Sequence, residues 1–157
     1  MSQPESAPHF KRLVFHTYLA VIKNAPGTAM FRNFYLERPN GTEFDAIGDG
    51  NNACAFFVSS VLTIFAKVKA IHGTVDSTKT DLQKSGWVLV SDLQPGDVIS
   101  WEPRQFHDGR HGHIGFYLGE NRAVSTSASR KVVAEHDLYY GAEKRRIVAA
   151  YRYPEWE

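Results

Sequence analysis

The chain has 157 residues, 18 Lys and Arg against 17 Asp and Glu, 43% apolar residues and 13% aromatic ones. That length holds one domain with a real core rather than two, the apolar content excludes disorder, and no basic block beyond Lys144, Arg145 and Arg146 offers a nucleic-acid footprint. A single cysteine, Cys54, excludes an internal disulfide and a cysteine-rich zinc site, and fits a reducing compartment.

Residues 1–8 read as a flexible tail and 9–157 as a single domain. The N-terminus is acidic and proline-containing and lacks the apolar stretch of a secretory signal. The longest apolar runs, near Ala55 to Val61 and Tyr18 to Ile22, are too short to span a bilayer. The expected location is the cytoplasm, or outside the cell by a non-classical route, with no membrane insertion.

Phe10 to Lys23 carries apolar residues at helical spacing and is closed by Asn24-Ala25-Pro26-Gly27. Residues 28–50 are aromatic-rich but irregular, and are expected to wrap a surface. A second helix is expected from Asn52 to about Lys67, capped by Asn51 or Asn52 and buried through Phe56, Phe57, Val61, Ile64 and Phe65. A short helix opens at Asp76 or Ser77 and ends near Gly86. Strand-like runs follow at 87–90, 97–101, 113–118, 122–127, 131–135 and 146–152. Helices first and strands after predict an α+β fold, with helices packed on a mostly antiparallel sheet.

Cys54 falls on the first turn of the buried second helix. Free N–H groups and the helix dipole there favour a thiolate, and a nearby imidazolium lowers the thiol pKa further. The competing reading is a small buried hydrophobe. Among seven histidines, His113 opens HIGFYLG, a run with alternating faces. Ile114, Phe116 and Leu118 are expected in the core, with His113, Gly115 and Tyr117 on the other face. Gly115 leaves room for a close backbone approach. His107, Asp108, His111 and His113 lie within seven residues and allow a metal site as an alternative, although the segment is a Gly-rich turn without an evident general base. Their other reading is a polar loop at a cleft rim, where His111 touches substrate. Tyr139-Tyr140 reads as edge or loop packing.

LQPGDVISW (93–101) followed by GHIGFYLGEN (112–121) resembles the NlpC-type papain-like peptidases, a superfamily related to the CHAP amidases. The order is Cys54, then Pro95-Gly96-Asp97, then His113, which separates the chain from permuted acyltransferase relatives whose histidine comes first. The resemblance covers roughly 48–128 and implies a papain-like domain in which Cys54 and His113 act together. It also implies a polar orienter on the following strand, often histidine, and Ser125 occupies that position here. A turn centred on Gly119 sets Ser125 opposite His113, and one centred on Glu120 sets Ser127 there. The family pattern Tyr-Asp-Cys-Ser is replaced by Asn52-Ala53-Cys54-Ala55, which removes the groups associated with a free stem-peptide amine and leaves Asn52 as a candidate substrate contact. The implied function is a cysteine hydrolase of a peptidoglycan stem-peptide amide that uses no cofactor. Its partner is a peptide or peptidoglycan fragment, and whether an inhibitor protein exists is open. A catalytically inactive peptide-binding domain is the alternative. Cys54, His113 and Ser125 are the expected catalytic residues, with Asn52, His111 and Tyr117 at the substrate.

Overall fold

The computed structural model describes residues 9–157, and the tail expected over 1–8 lies outside the described residues. Three helices, α1 (Val14–Asn24), α2 (Cys54–Ile64) and α3 (Val75–Lys84), and a small hairpin of β1 (Tyr35–Glu37) and β2 (Glu43–Asp45) precede the main sheet. The sheet comprises β3 (Val88–Leu89), β4 (Val98–Phe106), β5 (Gly109–Gly119), β6 (Arg122–Ser127), β7 (Val132–Asp137) and β8 (Ile147–Arg152). Its order is β3-β8-β4-β5-β6-β7, with every neighbouring pair antiparallel. The architecture is the expected α+β one.

Alternation along the strands builds two apolar layers. On the helix side, Ile114, Phe116, Val98 and Val124 pack against Tyr18 and Ile22 of α1 and Phe57, Val58, Val61 and Leu62 of α2. On the other side, Ile99, Trp101, Ala123 and Leu138 form a smaller cluster that Tyr117 and Tyr140 partly cover. The Pro95-Gly96-Asp97 turn ties these parts together. Gly96 has a φ of +97°, and a Cβ there would stand 3.0 Å from the Tyr18 ring. Its carbonyl accepts the Tyr18 hydroxyl at 2.7 Å. The buried Asp97 carboxylate accepts two hydrogen bonds from Arg152, at 2.9 and 2.8 Å, so β4 starts locked to β8.

Three expectations are corrected. Helix α2 begins at Cys54 without a side-chain cap, and Asn51 instead accepts from Lys131 Nζ at 2.9 Å. The helix stops at Ile64, which is 66% exposed, because Ala66 turns into positive φ. Segment 28–50 contains the β1–β2 hairpin, in which Tyr35 pairs with Asp45. All three β1 residues are exposed, so the alternation that marks a half-buried strand is missing.

Candidate active site

Two hollows, of about 400 and 520 Å³, meet at Asn52, Cys54, His111 and Gly112. The smaller extends over Thr74, Asp76 and Lys79 at the start of α3 and Arg110 of β5. The larger extends over His113, Ser125 and His136 to Arg145. Cys54 therefore stands where the two sides of one cleft join, with its thiol at the N-terminus of a helix held by the core.

Cys54 is 7% exposed. Burial pushes its thiol pKa up, and this outweighs the Ile114 and Ala55 backbone N–H groups and the Arg145 charge, all of which favour the thiolate. His113 is held down to about 3, first by burial and then by the Arg145 charge. At neutral pH the thiol and the imidazole, which line the same hollow, are thus both uncharged. The expectation that the helix terminus would lower the thiol pKa fails because desolvation is the larger effect.

His113 Nε2 lies 2.8 Å from Ser125 Oγ. Phe116 pairs with Val124 and Tyr117 with Ala123, so the β5–β6 hairpin centres on Glu120. The His113 ring therefore reaches Ser125 diagonally across the strands, a span that aromatic side chains bridge. Gly115 opens the way: a Cβ there would stand 2.4 Å from the Val124 carbonyl oxygen and 2.9 Å from Ser125 Cβ. Trp101 flanks the imidazole, with ring centroids 5.5 Å apart.

Three residues of this cluster carry no motif in the sequence. His136 Nε2 is 2.7 Å and Tyr140 Oη 3.0 Å from Ser125 Oγ. Arg145 is 7% exposed and donates to the carbonyls of Glu102 and His111 at 2.9 and 3.2 Å. Among the described residues no carboxylate forms an ion pair with it, so its charge is left to act on the thiol and on the cleft. Tyr140 packs on the ring of His136 rather than serving as plain edge packing.

Of the expected substrate contacts, Asn52 and His111 line both hollows. Tyr117 lines neither. It shares a face with His113 but sits four residues further along β5, roughly 13 Å away at strand rise, where it covers the second apolar cluster. The histidines of the proposed metal cluster diverge: His111 pairs with Asp108 at 3.0 Å and His113 turns to Ser125. Among the described residues no three His, Cys, Asp or Glu side chains converge as metal ligands, and no helix is long and apolar enough to cross a membrane.

No curated protein matches the chain. The profile of the NlpC/P60 family matches residues 44–152, a span that holds Cys54, His113, Ser125 and His136 together with the whole six-stranded sheet. The chain belongs to the NlpC/P60 family, whose members are of the cysteine peptidase and amidase type and act on peptidoglycan peptides.

Proposed function

We propose that this protein hydrolyses an internal amide of a peptidoglycan stem peptide through Cys54 and His113. The observation that carries this reading is the meeting of two hollows at the Cys54 thiol, with His113 lining the same cleft and tied at Nε2 to Ser125. Chain can then run to both sides of the scissile bond. Ala53 and Ala55 offer no ligand to a terminal amine, which also favours an internal bond.

The chemistry follows from the free nitrogen. With Nε2 engaged by Ser125, Nδ1 of His113 takes the thiol proton as Cys54 Sγ attacks the carbonyl carbon. The oxyanion receives the Cys54 backbone N–H at the first helical turn, and the Arg145 charge lowers the cost of negative charge nearby. The C–N bond breaks as Nδ1–H protonates the leaving amine, which gives a thioester. Water attacks the thioester, Nδ1 accepts its proton, and the carboxylate product leaves with the thiol restored. Because the resting pair is neutral, proton transfer accompanies attack rather than preceding it.

The test is incubation with defined peptidoglycan stem peptides and their cross-linked dimers, with products read by mass spectrometry. Wild type is expected to release new amine and carboxylate ends, and Cys54→Ala and His113→Ala to lose at least about a thousandfold in rate. Binding of fragments without cleavage by wild type would instead support a peptide-binding domain. Unchanged cleavage by Cys54→Ala would refute the assignment of the nucleophile.

A further inference from the structure

We infer that His136 is a positioning residue that sets the tautomer of His113 through the hydroxyl of Ser125, with the direction fixed by a main-chain carbonyl. The chemical role of His113 rests on the hydrolase reading above, but the proton arrangement stands on hydrogen-bond geometry and the neutrality of the His136 ring.

The argument starts at the outer end of the cluster. His136 Nδ1 is 2.8 Å from the carbonyl oxygen of Asp137. A carbonyl only accepts, so Nδ1 carries a proton. Burial keeps the His136 ring below its ordinary pKa, which leaves it neutral at pH 7. A neutral imidazole protonated at Nδ1 has a lone pair at Nε2. That atom lies 2.7 Å from Ser125 Oγ, so it requires the serine proton.

Ser125 has one proton and two lone pairs. With the proton given to His136, the oxygen must accept from its other two neighbours. Tyr140 Oη at 3.0 Å donates its hydroxyl proton, and His113 Nε2 at 2.8 Å donates the other. Three neighbours, one donation and two acceptances satisfy the nearly buried oxygen completely. His113 is thereby held as the Nε2–H tautomer, and its Nδ1 lone pair faces away from Ser125. A serine alone gives no such direction, because its hydroxyl rotates freely and either donates or accepts. His136 supplies what the serine lacks.

The surroundings hold this arrangement in place. The ring of Tyr140 stacks on that of His136 with centroids 4.1 Å apart and 19° between planes. Tyr140 sits in the left-handed region at φ 60°, an uncommon conformation for a bulky residue. The Asp137 carboxylate supports that turn by accepting the backbone N–H groups of Tyr139 and Gly141, both at 3.0 Å. The residue that aims the His136 ring with its carbonyl thus also places the tyrosine with its side chain.

The experiment is long-range proton–nitrogen correlation NMR of ¹⁵N-histidine-labelled protein at pH 7.5, which separates Nδ1–H from Nε2–H imidazoles. The expected spectrum has His136 as Nδ1–H and His113 as Nε2–H. Ser125→Ala and His136→Leu are expected to release His113 into a mixture of tautomers. His136→Gln keeps an acceptor for the serine and is expected to preserve the Nε2–H form. Tyr140→Phe removes a donor without reversing the hydroxyl and is expected to leave the tautomer unchanged. Stem-peptide hydrolysis is expected to fall ten- to a hundredfold in kcat in His136→Leu at little change in KM, and to recover in His136→Gln. An Nδ1–H tautomer of His113 in wild type overturns the inference, as does a His113 tautomer indifferent to Ser125→Ala and His136→Gln alike. If His136→Leu does not fold, the wild-type, Ser125→Ala and His136→Gln spectra still decide. The spectra require no turnover, so an inactive protein with the expected tautomers sinks the hydrolase reading alone. An active one with the wrong tautomers sinks the positioning role alone.

Discussion

His113 is neutral because a half-buried imidazolium has nothing to pair with: its neighbours are a hydroxyl, aromatic rings and the Arg145 charge. The consequence for stability has a definite sign. In the unfolded chain the ring protonates near pH 6.5, whereas in the folded one it resists until about 3. Above pH 6.5 both states are neutral and the group costs nothing. As the pH falls below 6.5, the unfolded state gains a proton that the folded state refuses, and stability drops by up to about 1.4 kcal/mol per pH unit from this residue. The check is the urea midpoint at pH 7 and pH 5, compared between wild type and His113→Gln. The variant is expected to lose clearly less on acidification. An equal loss in both would show that the ring is hydrated in solution.

At the scale of elements, the β5–β6 hairpin carries the site, and Gly115 is the position on which it turns. The glycine is needed for the space above it, since a methyl group would strike the Val124 carbonyl. Gly115→Ala is expected to cost about 1–3 kcal/mol in unfolding free energy, as overpacking does. It is also expected to depress hydrolysis more than stability accounts for, because the strands must part where His113 meets Ser125. Chemical denaturation and kcat at a temperature where the variant stays folded measure the two effects. The sequence made much of this hairpin legible: alternation along HIGFYLG separates Ile114 and Phe116 from His113, and resemblance points to Ser125. Alternation gives the face but not the distance along the strand, which is why Tyr117 shares the His113 face yet lines neither hollow. The register could be narrowed to Glu120 or Gly119 and no further. His136 and Tyr140 were invisible for a different reason. They reach Ser125 from β7 and the turn after it, and no spacing in the chain announces a convergence made by folding. Arg145 lies in a short basic run that the sequence lets one weigh only as a nucleic-acid footprint. The start of α2 was misread because Asn51 is drawn to Lys131, a partner 80 residues away.

For the whole molecule, the parts that precede the family-matched span matter to the sheet. Tyr18 of α1 packs on Phe116 and Trp156, and Phe31 packs on Phe57 at the start of the same core. The loop after α1 does something more specific. Gly27 N–H donates to the Val133 carbonyl at 2.8 Å, and Val133 N–H donates to the Thr28 carbonyl at 3.0 Å. β7 is the last strand on its side, so these two bonds occupy main-chain groups on its outer edge. At the far side β3 is only two residues long. A bare strand edge is a template for the strand of another molecule. A fragment cut to residues 44–152 would uncover that template beside the apolar surface vacated by Tyr18 and Phe31. It is expected to form insoluble or multimeric material in size-exclusion chromatography where the full chain does not. The loop from Gly27 to Thr28 thus acts as a guard against self-assembly, and it stands watch on the strand that also carries His136.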